Sequence, residues 1–403
     1  VSHVDLDTLR ELLTEADTKI LLFVLDGLGG LPMKPGGHTE LEIARTPNLD
    51  RLAAEGIVGL HQPVGPGITP GSGPGHIGLF GYDTLRYQIG RGVLEALGVG
   101  FELGPQDIAA RGNFCTVDGD GKITDRRAGR IATEKARELC AELRSIELPG
   151  VEMFVEPVRE HRFLLVLRGE GLVEGVADTD PGHTGSPPLP VSAEREEATA
   201  TAELVKRFVD EARQRLAGHE PANMVLLRGF ARLPDWPTFR DAFGLRAVAV
   251  AQYPMYRGVA KLFGMDAVEA GSSLDDLFET LARVWTGYDF AFVHVKETDK
   301  AGEDGAFERK VEVIEEVDRR IPELEALVPD VILVTGDHST PAALRSHSWH
   351  PVPFLLWSPT CRRDDVKRFG EKWCLQGGVG LCRSEDLMPT ALAHAGRLVK
   401  FGA

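Results

Sequence analysis

An α/β fold carrying an inserted α+β segment is predicted by three features of the sequence. Short apolar runs end directly in carboxylates or histidines at KILLFVLDG (19–27), DFAFVHVKETD (289–299) and DVILVTGDHS (330–339). Each has the length and continuity of a buried parallel strand. Helical periodicity alternates with these runs toward both ends of the chain, whereas the middle reads as a hairpin with long helices.

Taken in order, VSHVDLDTLRELL begins as an amphipathic helix and not as an apolar, cleavable leader. The chain holds no run of about twenty apolar residues, so a cytoplasmic protein is expected. KILLFVLDG is followed by the helical LDRLAAEG. GITPGSGPGHIGLFGYD (67–83) then packs six glycines and two prolines around Ser72, with a helix expected to begin near Gly75–His76. GNFCTVDGDGKITDRRAGR (112–130) reads as a strand, a tight turn and a second strand. EKARELCAELRSI and EREEATATAELVKRFVDEARQRLAG read as helices and EHRFLLVLRG as another strand. SLDDLFETLARVW before the run at 289–299 and AFERKVEVIEEVDRRIPELEALV after it return to helical periodicity. The insertion is expected at 85–238, ending near RLPDWPTF, inside an α/β domain made of 1–84 and 239–403.

A formal net charge of -16 over 403 residues argues against broad binding to nucleic acid or to an anionic membrane. A small anionic ligand would need local arginines. Cys115, Cys140, Cys361, Cys374 and Cys382 are odd in number and scattered, which indicates free thiols and neither a disulfide framework nor a zinc ribbon.

Ligands of open α/β sheets bind beyond the carboxyl ends of strands, so the three polar run ends are expected to share one edge. Asp26, Asp299 and the adjacent Asp337 and His338, with His347 in the following loop, form a carboxylate–imidazole set suited to two divalent cations. Ser72 lacks the flanking pattern of a nucleophile elbow, since glycine stands directly beside it in PGSGPG. Activation of its hydroxyl by a metal fits better than a Ser-His-Asp triad. Arg126, Arg127, Arg130 and Arg162 in the insertion are candidates for holding carboxylate or phosphate, and Arg228, at the end of NMVLLRG, and Arg257, in YPMYRG, are further ones. Asp180 and His183 in the turn-rich DTDPGHTGSPP are further candidates for the same pocket.

These segments, with NFCTVDGDGKITDRRAGRI, HVKETDKAGEDGAFERKVEVIEEVD and TGDHSTPAALRSHSWHPVP, resemble the archaeal type of cofactor-independent phosphoglycerate mutases, a family of the alkaline phosphatase superfamily. The resemblance runs in order over nearly the whole chain. It implies an alkaline-phosphatase-like sheet flanked by helices, with the insertion as a substrate-binding cap. It implies interconversion of 3- and 2-phosphoglycerate through a phosphoserine at Ser72, without 2,3-bisphosphoglycerate. One cation would be held by Asp26, Ser72, Asp337 and His338 and the other by Asp299, Glu303 and His347. Mn²⁺ is expected first, with Mg²⁺, Co²⁺ or Zn²⁺ as alternatives. The substrate is a small phosphorylated carboxylate gripped by Arg126, Arg130, Arg162, Arg228 and Arg257; the oligomeric state is left open.

Three positions depart from the family pattern. Glu303 stands in AGEDG where members usually read AGHDG, GSGPGH lacks the acid that follows the serine in GSDxAH, and Arg257 replaces a common lysine. These departures keep a second reading open, a metal-dependent phosphomonoesterase or phosphonate hydrolase of the same superfamily. A non-catalytic binding relative is disfavoured, because costly polar groups would have little reason to gather at strand ends.

Overall fold

The computed structural model describes residues 4–402. They fall into two units, one comprising the chain up to Gln88 and from Trp236 onward, the other Ile89–Asp235. The division lies a few residues inside the edges read from the sequence. Tyr87 and Trp236 meet edge to face with ring centroids 5.5 Å apart, and Trp236 stacks on Phe263 at 5.3 Å, which ties both flanks to the first unit.

The first unit is built on an eight-stranded mixed sheet. Ile20–Leu25 is central, parallel to Phe290–Val295 on one side and to Val331–Thr335 on the other. Ala247–Ala251 and Asp266–Glu269 continue the first side in parallel. On the other side Val352–Trp357 runs antiparallel between Val331–Thr335 and Ile57–Gln62, and Gly380–Arg383 closes the edge. The three runs read as parallel strands are thus adjacent.

Their continuous apolarity has a two-sided cause. Leu21, Phe23 and Leu25 pack with Leu49 and Leu52 of the helix Pro47–Glu55, Leu277 and Leu281 of Leu274–Val284, and Ile314 and Val317 of Phe307–Asp318. On the opposite face Phe290 meets Phe239 at 4.7 Å and Phe292 meets Phe80 at 5.0 Å. A strand covered on both faces has no place for alternating polar residues. The periodic stretch 306–328 is two helices, Phe307–Asp318 and Ile321–Ala326, with Pro322 in the first turn of the second, where a missing N–H is tolerated.

The second unit is a five-stranded antiparallel sheet. Asp107–Val117 pairs with Arg162–Arg168 on one side and with Met224–Ala231 and Ile123–Asp125 on the other; Glu152–Pro157 lies beyond Arg162–Arg168. Helices Thr133–Leu143 and Thr199–Leu216 bury Leu139, Leu143, Val205 and Phe208 against Phe163, Leu165 and Val225. Ala96 of the helix Arg91–Gly98 joins Ala109, Leu164 and Val166 in a separate apolar cluster. All five cysteines are free, and no described helix is long and apolar enough to cross a membrane.

One buried polar contact joins three parts of the first unit. The His61 imidazole lies between Ser384 Oγ, Thr335 Oγ1 (2.9 Å) and the Gly336 carbonyl (3.0 Å), fully shielded from solvent. Burial pushes its pKa down from 6.5 to about 4, so the folded protein holds it neutral. Because the unfolded chain takes up the proton first, the stability that this depression contributes is complete above pH 6.5 and lost as pH falls toward 4. Urea unfolding between pH 7 and 4 is expected to show a loss of about 3 kcal/mol that His61→Gln, matched for baseline stability, no longer shows.

Candidate active site

Asp26 follows the central strand, Asp299 lies in the helix Glu297–Glu303 after one parallel neighbour, and Asp337 and His338 follow the other. All four are essentially inaccessible to solvent. The chain leaves Asp26 through Gly27 at φ +64°, and a Cβ there would sit 2.6 Å from Thr340 Oγ1 and 2.8 Å from Asp299 Oδ1. Only glycine permits both the left-handed turn and that approach. The buried Lys310 ammonium then donates to the carbonyls of Gly27 (2.8 Å), Gly29 (3.1 Å) and Thr340 (2.9 Å), joining the loop after Asp26 to the loop after His338.

The protonation of His338 follows from its neighbour. Thr340 Oγ1 spends its single proton on Asp299 Oδ1 at 2.6 Å, so toward His338 Nδ1, 3.0 Å away, it can only accept. The imidazole proton therefore sits on Nδ1. The Nε2 lone pair faces Asp337 Oδ2 at 3.2 Å, Asp26 Oδ1 at 3.4 Å and Ser72 Oγ at 3.2 Å. His347 is oriented in the same manner, its Nδ1–H donating to the Pro70 carbonyl at 3.0 Å, which leaves Nε2 3.5 Å from Asp299 Oδ1. The two rings stack with centroids 3.7 Å apart.

Two donor groups result. Asp26, Asp337 and His338 form one and Asp299, His338 and His347 the other, with the ligand atoms of each group within 4.8 Å of one another. Asp26 Oδ1 and Asp337 Oδ2 are buried and accept no hydrogen bond. Buried carboxylate oxygens left open beside imidazole lone pairs fit a divalent cation that takes oxygen and nitrogen ligands. Glu303 lies outside both groups, with Oε1 3.8 Å from His347 Nε2 and its side chain 55% exposed.

Lys296 sets the charge of this centre. Its Nζ donates to Asp299 Oδ2 at 2.6 Å and to Asp26 Oδ2 at 3.2 Å, leaving the Oδ1 atom of each on the imidazole side. His294 Nε2 lies 3.0 Å from the same Asp26 Oδ2. Burial alone would raise the Asp26 pKa, but the Lys296 ammonium and the hydrogen bond from His294 outweigh it and hold it well below the usual carboxylate range. Burial lowers the Lys296 pKa, and the Asp26 and Asp299 carboxylates more than reverse that, so the ammonium stays charged. His338 moves below its ordinary value because burial disfavours the imidazolium.

Ser72 opens the helix Ser72–Leu79, with Gly71 as N-cap, so the helix starts three residues before the expected Gly75–His76. His76 Nδ1 donates to the Ser72 carbonyl at 2.7 Å. A Cβ on Gly75 would lie 2.5 Å from the Asp337 carbonyl oxygen. That glycine is explained by backbone contact between the serine helix and the Asp337 loop, and not by room for a ligand.

The arginines named from the sequence divide between the units. Arg126, Arg130, Arg162 and Arg228 line a cavity of about 390 Å³ in the second unit, joined there by Arg91, Arg111, Arg127 and Arg159. Arg126 is engaged in a bidentate pair with the buried Asp180 (2.9 and 2.7 Å), and Arg228 Nη1 lies 3.5 Å from the same carboxylate. Burial raises the Asp180 pKa, but Arg126, the Gly182 N–H and Arg228 bring it below the ordinary value. His183 is exposed and does not line the cavity. Arg257 belongs to the first unit, where it donates to the Ala251 (3.0 Å) and Gln252 (2.6 Å) carbonyls and to Glu269 (3.3 Å).

Sequence reasoning missed several groups. Lys296 and His294 stood inside the quoted HVKETD, two residues apart on a strand end, and that spacing was a usable signal. Thr340, two residues past His338, gave none. Arg91, Arg111, Asn113 and His161 are brought into the cavity from a helix, one strand and a turn, and only Arg111 and Asn113 are linked by local spacing, two residues apart on that strand. Thr340→Val removes the acceptor that fixes the His338 proton, so the affinity for Mn²⁺ measured by calorimetry is expected to fall about 10- to 100-fold with the melting temperature little changed.

Comparison with known proteins identifies the family. Residues 53–222 match the family model described as 2,3-bisphosphoglycerate-independent phosphoglycerate mutase. A Thermus thermophilus protein named as a probable 2,3-bisphosphoglycerate-independent phosphoglycerate mutase is 50% identical over 400 residues, covering 98% of each chain. One of the same name from Aquifex aeolicus is 48% identical over 99% of this chain and 100% of its own. Among solved structures, the cofactor-independent phosphoglycerate mutase of Thermoplasma acidophilum superposes with a TM-score of 0.75 at 31% identity, over 94% of this chain and 100% of that one. A Pyrococcus horikoshii protein superposes with a TM-score of 0.79 at 32% identity, over 96% and 99%. With near-complete coverage at about half identity, this chain belongs to the family of 2,3-bisphosphoglycerate-independent phosphoglycerate mutases.

Proposed function

We propose that the chain interconverts 3-phosphoglycerate and 2-phosphoglycerate through a phosphoserine at Ser72, with no bisphosphoglycerate required. The observation that carries this reading is the position of Ser72 Oγ at the N-terminus of a helix, 3.2 Å from His338 Nε2, the imidazole common to both donor groups. Asp26, Ser72, Asp337 and His338 would hold one divalent cation and Asp299, Glu303 and His347 the other, with Mn²⁺ the first choice for a site richer in carboxylate than the family pattern. Such cations, when bound, lower the pKa of a ligating hydroxyl and offset charge on a transferring phosphoryl group.

The remaining work falls to the chain itself. Ser72 Oγ forms a bond to phosphorus as the bond to the 3-oxygen of glycerate breaks, and the serine proton is made up on the departing oxygen. The reverse transfer onto the 2-oxygen returns the proton and frees the serine. Lys296, which donates to both Asp26 and Asp299, keeps Asp26 ionised throughout. Glycerate must stay bound between the two transfers, and the unit 89–235 is the proposed substrate-binding insertion. In it Arg130 and Arg162 are positioned to take a carboxylate, while Arg126 and Arg228 are held in place by Asp180. Arg257, bound to carbonyls at the end of Ala247–Ala251, is assigned a role on the phosphoryl side.

The experiment is phosphorus NMR of the Mn²⁺-activated protein after incubation with 3-phosphoglycerate alone, with Mn²⁺ removed before recording. The expected product is 2-phosphoglycerate with little inorganic phosphate. Ser72→Ala is expected to retain less than about a thousandth of the turnover and to form no phosphoenzyme. Inorganic phosphate as the sole product would move the chain to the phosphomonoesterase reading, and full turnover by Ser72→Ala would remove the phosphoserine.

A further inference from the structure

The arginine cavity of the second unit contains two groups that differ in kind from the rest of its wall. Guanidinium groups only donate hydrogen bonds, and the one carboxylate on the wall is Glu160. Asn113 and His161 are the neutral polar side chains there. His161 is only 6% exposed, and its Nδ1 has no hydrogen-bond partner; Glu160 Oε2, the nearest acid, is 3.9 Å away. Asn113 Oδ1 is likewise buried without a partner. Such groups lose free energy on folding unless something else satisfies them.

Their placement is built into the sheet. His161 sits in the turn between Glu152–Pro157 and Arg162–Arg168, immediately after Glu160, whose φ of +52° is unusual for a residue with a side chain. That turn is tied at both ends, by Val158 N–H to the Arg162 carbonyl (2.9 Å) and by Glu160 N–H to Thr133 Oγ1 (3.0 Å). The His161 carbonyl also accepts from Phe114 N–H at 2.8 Å, and Asn113 pairs with Arg162 across the sheet. Both neutral side chains line the same cavity as the arginines, each with a buried polar atom that no protein group satisfies. Burial and the adjacent Arg162 push the His161 pKa down to about 4, so near neutral pH it offers a lone pair as well as an N–H.

We propose that His161 and Asn113 recognise the free hydroxyl of the bound phosphoglycerate, while the surrounding arginines take its carboxylate. A wall of guanidinium alone would bind any small carboxylate or phosphate. A hydroxyl must both donate and accept, and these two side chains supply what arginine lacks. This deepens the mutase reading and rests on it for the identity of the ligand. The same pair could serve the 2-hydroxyl of 3-phosphoglycerate and the 3-hydroxyl of 2-phosphoglycerate in turn.

The test uses the full chain in the Ser72→Ala background, which binds without turnover. Calorimetry compares 3-phosphoglycerate with 3-phosphooxypropionate, its analogue lacking the 2-hydroxyl, and 2-phosphoglycerate with phospholactate, which lacks the 3-hydroxyl. The parent is expected to prefer at least one hydroxylated ligand by about tenfold, since a buried polar pair left unmatched penalises the deoxy analogue. His161→Leu is expected to bring that ratio near one while changing binding of the deoxy ligand less than about threefold. His161→Gln, which keeps a neutral donor and acceptor, is expected to restore it. Asn113→Val provides the same test should His161→Leu fail to fold. An unchanged preference in the folded variants, or none in the parent, overturns the inference. Failure of the mutase reading is seen separately, as the absence of interconversion by the chain with Ser72 intact.

Discussion

Asp26 and Asp299 lie side by side at the ends of adjacent strands, buried, with one ammonium between them. Like charges this close in a poorly solvated place do not both stay ionised without a compensating cation. Lys296 is that cation, and its geometry matters as much as its charge. By taking Oδ2 of each aspartate it turns each Oδ1 toward the imidazoles, and the open side of the centre is thereby defined. Thr340 and Pro70 complete the arrangement by fixing the tautomers of His338 and His347.

Much of the framework was legible in the sequence because its causes are local. Strands covered on both faces must be continuously apolar, so KILLFVL, DFAFVHV and DVILVT announce themselves, and the polar residues that follow mark the sheet edge. The resemblance to the family named the same residues independently. What stayed hidden depends on tertiary approach. At Gly75 the carbonyl of Asp337, far away in sequence, is what excludes a side chain. The helix start at Ser72 escaped notice because Gly71 caps without a side chain, leaving none of the usual N-cap signature. Arg91, Arg111, Asn113 and His161 come from a helix, a strand and a turn, and only the completed sheet collects them.

The distribution of charge also separates the two units. A chain with a formal charge of -16 nonetheless gathers eight arginines around one cavity. Of these, Arg126 and Arg228 are held by Asp180, and Arg111 and Arg162 lie 3.6 and 3.8 Å from Glu95. Arg130 and Arg159 make no side-chain ion pair or hydrogen bond among the described residues. The cavity is therefore cationic beyond what its own acids neutralise, and because salt screens exposed charges beyond about 10 Å, an anion at its mouth responds to this local field more than to the net charge of the chain.

Lys310 has a consequence for how the centre exchanges ions with solution. Its ammonium clasps three carbonyls from the two loops that carry Asp26 and His338, and it does so from a helix rooted in the core by Ile314 and Val317. The loops owe their shape to a covalently tethered charge, so an arriving cation need not order them. In a zinc finger, ion binding and chain folding share one free energy; loops tied by Lys310 would owe less of their shape to a bound ion. Affinity then reports ligand chemistry and dehydration with little configurational penalty, and stripping the ion leaves a receptor already shaped for its return.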